Sequence, residues 1–135
     1  MPLIACDFDG TIVEHRYPNI GKPLDGAMET LRDLIAAGNR LILNTCREDC
    51  KKRKYLSEAV EFCKENGVVF VSVNENSLDD DFRDENGLRR KVYAHHYIDD
   101  ANIGGFIGWD KVRQLLGLSP LDPEASTSGL REGTE

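Results

Sequence analysis

No run of apolar residues in this 135-residue chain approaches the roughly 20 needed to cross a bilayer, so a helical membrane span is excluded and no membrane partner is expected. The chain lacks CxxC pairs. Its four cysteines, Cys6, Cys46, Cys50 and Cys63, read as reduced and mostly buried thiols, because the Cys46 to Cys50 spacing has no second ligand pair to complete a zinc site. Positive charge is in deficit: 17 Lys and Arg stand against 24 Asp and Glu, a formal net charge of -7. That balance argues against a protein that wraps nucleic acid, whose affinity comes from neutralising phosphates, while leaving room for a local basic patch. No basic leader or small-residue cleavage site follows Met1 and Pro2, and a cytoplasmic location is expected.

What is present is a globular balance of 40% hydrophobic and 30% charged residues, at a length suited to one domain. Leu3 to Cys6 is an unalternating apolar run that stops at Asp7, the pattern of a strand buried on both faces in a parallel sheet. Ala27, Met28, Leu31, Leu34 and Ile35 recur at helical spacing between Leu24 and Ala37, with Asp25 as the expected cap and Gly38 as the stop. Leu41 to Leu43 predicts a second strand ending at Asn44 and Thr45. A second helix is expected from about Glu48 to Asn66, with Leu56, Ala59, Val60 and Cys63 on one face and Gly67 ending it. Val68 to Val73 predicts a third strand, 74–90 a polar loop, Tyr93 to Ile98 a fourth strand with at least one of His95 and His96 packed inside, and Trp109 to Leu116 a last helix anchored by Trp109. The expected domain is 1–118. The Ser, Pro, Thr, Gly and Glu composition of 119–135 reads as a disordered tail. The order predicts an α/β fold, a doubly wound, Rossmann-like, mostly parallel sheet.

Three strand ends finish in polar residues: Asp7 with Asp9, Asn44 with Thr45, and Asp99 with Asp100. Parallel strands bring those ends to one rim, where ligands bind in such sheets. Four carboxylates there repel one another unless a cation sits among them, and an all-oxygen cluster suits magnesium better than a softer metal. Asp7, Asp9, Asp99 and Asp100 are therefore the candidate metal residues.

The run DFDGT, Asp7 to Thr11, after an apolar strand resembles the opening motif of the haloacid dehalogenase-like superfamily. Thr45 in NTCRE is similar to that family's second motif, Lys91 in RRKVYAHHYIDD to its third, and Asp99–Asp100 after YI to its fourth. The resemblance covers roughly Leu3 to Leu116. It implies a Mg2+-dependent phosphatase in which Asp7 attacks phosphorus to give an aspartyl-phosphate and Asp9 serves as general acid and then base, protonated when substrate binds. By the same resemblance the Asp9 main-chain carbonyl joins the metal shell with Asp7, Asp99 and Asp100. Gly10 is expected to let the backbone approach the phosphate, with Thr11 beside it, while Thr45 and Lys91 hold its oxygens and Arg47 grips it from the rim. Neither slot for a cap domain has room, after Thr11 or within 74–90, so the chain resembles the capless branch.

The expected substrate is a small phosphorylated molecule, nucleotide-like by the TxR form of the second motif. An open site also admits a nucleic-acid end, or a homo-oligomer in which a second copy acts as lid. Two readings compete. A receiver-like module would carry its phosphoacceptor at the end of the third strand, where this chain has Val73 and Asn74. A metal-dependent nuclease would use the same carboxylates around a water nucleophile.

Overall fold

The computed structural model describes residues 2–77 and 91–121. Among the described residues there are four strands, β1 (Leu3–Cys6), β2 (Arg40–Leu43), β3 (Ser72–Val73) and β4 (His96–Ile98), and three helices, α1 (Ala27–Ala36) after β1, α2 (Tyr55–Glu65) after β2 and α3 (Trp109–Leu115) after β4. All strand pairs are parallel, in the order β3-β2-β1-β4. The fold is a Rossmann-like parallel α/β sheet.

Strand alternation divides the core. Ile4 and Cys6 pair with Leu41 and Leu43, and Cys6 with Ile98, so these side chains share one face. They join the buried faces of all three helices, including Met28, Leu31, Leu34, Ala59, Cys63, Trp109 and Val112, in one apolar cluster. The opposite face carries a smaller cluster of Leu3, Ala5, Ile42 and Ala94, with Val92 packed against it. Burial on both faces explains why β1 reads as continuous apolar sequence. Helix α1 ends where Gly38 takes φ 99°, its N–H donating to the Ile35 carbonyl at 3.0 Å.

Several boundaries differ from the sequence reading. Helix α1 begins at Ala27 behind Gly26, and no side chain, Asp25 included, caps it. Helix α2 starts at Tyr55, seven residues later than expected, because 49–54 fold into a tight loop closed by a Cys50 N–H to Arg53 carbonyl bond and an Asp49–Lys54 bridge. Asp49 then accepts from the Ser57 N–H at 2.9 Å and caps the helix from outside it. Strand β3 is short because it lies at the sheet edge, with Val69 and Val71 exposed. Both His95 and His96 are exposed, contrary to expectation, since β4 forms the other edge; His95 Nδ1 accepts the Leu3 N–H at 2.9 Å. Of the loop expected over 74–90, residues 78–90 lie outside the described residues, as does the tail beyond residue 121.

Candidate functional site

The chain runs β1, β2, β3 outward in one direction and then returns to place β4 on the other side of β1. Ligands bind beyond the strand C-termini at such a reversal, between β1 and β4. Register aligns the first residue past each strand. The Asp7 N–H donates to the Ile98 carbonyl at 2.9 Å, the Asn44 N–H to Cys6 at 2.8 Å and the Asn74 N–H to Leu43 at 2.7 Å. Asp99, Asp7, Asn44 and Asn74 consequently stand side by side at one level of the sheet.

Oxygens of Asp7, Asp99 and Asp100 all lie within 4.8 Å of one another. Second contacts hold two of these groups. The Thr11 hydroxyl donates to Asp7 Oδ2 at 3.1 Å, and the Ala101 N–H donates to Asp99 Oδ1 at 2.8 Å. Thr11 is fully buried, and its carbonyl accepts the Trp109 indole N–H at 2.8 Å, which ties α3 to the turn after β1. Thr11 thus orients Asp7 from behind, where the sequence reading placed it against substrate. Gly10, at φ 84°, lies so close to Asp100 that an added Cβ would overlap the carboxylate. The close approach its missing side chain permits in this structure is by Asp100.

Crowding perturbs Asp7. Burial pushes its carboxyl up to about 7; the Phe8 N–H and the Thr11 hydroxyl pull it down, while the Asp99 charge and a hydrogen-bonding contact with Asp100 raise it. A divalent cation among the three groups would relieve that repulsion. Their all-oxygen donor set, with outer hydrogen bonds already orienting it, fits a hard ion.

Asp9 behaves differently. Its two oxygens accept a fork from Arg47, Nε to Oδ2 and Nη2 to Oδ1, both at 2.8 Å. It stays outside the three-carboxylate group. The fork binds both carboxylate oxygens, a structural partnership that the sequence reading did not anticipate. The expectation for Arg47 also needs correction: its side chain is 1% exposed and is no rim residue reaching for phosphate. Its remaining N–H groups go to the carbonyls of Pro18, Tyr55 and Asn19.

A cleft of about 510 Å³ opens over this centre, lined by Asp7, Asp9, Thr45, Arg47, Asp99 and Asp100 together with His15, Tyr17, Asn44, Cys46 and Ala101. Thr45 is held by its N–H on Asn74 Oδ1 at 2.7 Å, and its hydroxyl accepts the Arg47 N–H at 3.1 Å. Lys91 lines a neighbouring cleft that shares Asn44, Thr45 and Asp99 with the first, its Nζ 4.6 Å from the centre of the Tyr97 ring. The sequence reading missed His15 and Tyr17. They ride on a hairpin whose stem pairs Val13 with Pro23, and nothing in their local sequence marks them. Asn74 carried a signal, a polar residue closing an apolar run as Asn44 does.

Fold and site together define a Rossmann-like α/β protein with an acidic centre at its topological switch point. No protein-family profile matches the chain, and neither does any curated protein. Among solved structures, a conserved protein coded by a locus from Bacteroides thetaiotaomicron is similar, with a TM-score of 0.73 and 40% identity over 86% of this chain and 89% of that one. The chain belongs to the same family as that conserved protein.

Proposed function

We propose that this chain is a magnesium-dependent phosphohydrolase of the haloacid dehalogenase-like kind, acting on phosphate monoesters through an aspartyl-phosphate on Asp7. The observation that carries the reading is the convergence of Asp7, Asp99 and Asp100 at the ends of β1 and β4. Mg2+ bound there would screen the charge of a phosphate dianion from the anionic nucleophile. Thr11 holds Asp7 Oδ2, leaving Oδ1 for in-line attack, in which the new Asp7 oxygen–phosphorus bond forms as the bond to the leaving oxygen breaks. Water then attacks the acyl-phosphate and releases inorganic phosphate. Asp9 stands on the wall of the same cleft. Arg47 takes one lone pair of each Asp9 oxygen, and the second would serve to move a proton at the leaving oxygen or the attacking water. Thr45 on the wall of this cleft, and Lys91 from the adjoining one, would donate to phosphoryl oxygens.

The test is turnover of p-nitrophenyl phosphate by the purified protein. Activity with Mg2+ is expected to vanish in EDTA and to fall at least about 10⁴-fold in Asp7→Asn, as removal of a covalent nucleophile does. Cleavage of bis(p-nitrophenyl) phosphate without cleavage of the monoester would favour the nuclease reading, and wild-type rates in Asp7→Asn would sink the nucleophile assignment.

A further inference from the structure

Arg47 carries five N–H bonds, and each has a protein acceptor. Nε and one Nη2 hydrogen go to Asp9, the second Nη2 hydrogen to the Asn19 carbonyl at 3.0 Å, and the two on Nη1 to the carbonyls of Pro18 at 3.4 Å and Tyr55 at 3.2 Å. The guanidinium carbon also lies 5.1 Å from the ring centres of both Phe8 and Tyr17. These partners belong to three segments: the turn after β1, the hairpin spanning 14–22, and the first residue of α2. A side chain that is almost wholly buried and donates every hydrogen inward has none left for a ligand. It can only enter a phosphate's coordination by abandoning one of these partners.

We infer that Arg47 is a positioning residue, one that fixes Asp9 and the hairpin carrying His15 and Tyr17 as a single wall of the cleft without touching substrate. The inference rests on the phosphohydrolase reading for its kinetic consequences, though not for its structural ones. The hairpin has other ties: Ile20 packs against the main apolar cluster, and the Tyr17 ring centre lies 5.7 Å from that of Tyr55. Its stem is held by the Glu14 N–H to the Lys22 carbonyl and the Leu24 N–H to the Ile12 carbonyl, while its tip is fastened through Pro18 and Asn19, both to Arg47. Arg53 adds one exposed contact, to Asn19 Oδ1 at 3.3 Å. Lysine cannot replace this arginine, since three donors on a flexible stem cannot span Asp9 and the three carbonyls together.

The experiment compares wild type with Arg47→Lys and Arg47→Gln on p-nitrophenyl phosphate with Mg2+, using inorganic phosphate as competitive inhibitor, and follows amide hydrogen exchange over 14–22. The expected result is a 10- to 100-fold fall in kcat, KM and the phosphate inhibition constant within about twofold of wild type, no rescue by lysine, and faster exchange confined to the hairpin and Asp9. A tenfold or greater weakening of phosphate inhibition would make Arg47 a phosphate ligand and overturn the inference, as would unchanged kcat with unchanged exchange. Should both variants fail to fold, Tyr17→Leu removes the exposed ring beside the guanidinium: faster exchange at 14–22 with a lowered kcat supports the inference, and wild-type values of both overturn it. A wild type that turns over no phosphate ester defeats the phosphohydrolase reading alone, because hairpin exchange in Arg47→Lys still reports on positioning.

Discussion

Asp7 and Asp9 are two residues apart on one turn and line the same cleft, yet their surroundings are opposite. Asp7 faces two other carboxylates, has its carboxyl raised to about 7 chiefly by burial, and has a single hydroxyl holding one oxygen. Asp9 has both oxygens bound by one permanently charged, fully buried fork. The first arrangement is electrostatically frustrated and gains from a cation; the second is complete and gains from being left alone. The comparison separates a carboxylate held in repulsive surroundings from one whose charge is matched by a buried partner. It also shows why sequence distance says so little here: the turn after β1 sends alternate side chains to opposite sides, one toward β4 and the other toward the loop after β2.

Breaking the satisfied side should have the larger effect on stability. Asp9→Ala leaves the Arg47 guanidinium buried without its counterion, a change that costs about 3–5 kcal/mol for such pairs. Thermal unfolding should shift down by roughly 10 °C or more at this chain length. The double variant Asp9→Ala with Arg47→Met should recover much of that loss, because an apolar pair of similar volume carries no unpaired charge. A single variant as stable as wild type would mean that the fork holds nothing together.

An intermediate effect is expected where the frustrated side is crowded from below. Gly10→Ala places a Cβ into the Asp100 carboxylate at a backbone φ of 84°, where side chains other than glycine are strained. The expected loss is about 1–3 kcal/mol, and with it most of the rise in melting temperature that Mg2+ gives the wild type. The coupling of the two losses is the diagnostic result. Lowered stability with intact Mg2+ stabilisation would mean that Asp100 can move aside and is not needed in the cation site.

How much of this was legible from residues alone depends on whether a feature is local. LIAC followed by aspartate gave β1 to the residue, because a strand buried on both faces must be apolar throughout and a rim must be polar. The apolar face of α1, with Met28, Leu31 and Leu34, was equally plain from its 3.6-residue period. Val68 to Val71 was misread because apolar character reports a preference for burial, not a partner, and among the described residues β3 pairs only with β2. The start of α2 was misread because the charged run Lys51 to Lys54 suits an exposed loop as well as a helix. The Asp7, Asp99, Asp100 grouping could be anticipated from strand ends, since parallel strands force those ends together. The Arg47–Asp9 fork could not, because it joins residues 38 apart through a loop whose path is set by tertiary contacts. His15 and Tyr17 were invisible for the same reason.

The smallest predicted effect reverses the usual sign for an aspartate. In the unfolded chain the Asp7 carboxyl titrates near 3.8, and in the native, cation-free site near 7, so between those values the native state binds the extra proton. Stability without cation should therefore fall as pH rises from about 4 to 7 and level off above it. With the carboxyl partly open to screening solvent, the stability lost over that range is about 1–2 kcal/mol. In EDTA at pH 8, Asp7→Asn should accordingly melt a few degrees above wild type, and the two should converge near pH 4. Mg2+ should invert the order at pH 8, since ligation favours the deprotonated wild-type site and gains little from the amide. Melting curves at pH 4, 6 and 8, each in EDTA and in Mg2+, check both signs at once. A wild type whose cation-free stability climbs through that range, or an asparagine variant that Mg2+ stabilises as strongly as the native protein, would remove Asp7 from the frustrated cluster and place its energetics beside those of Asp9.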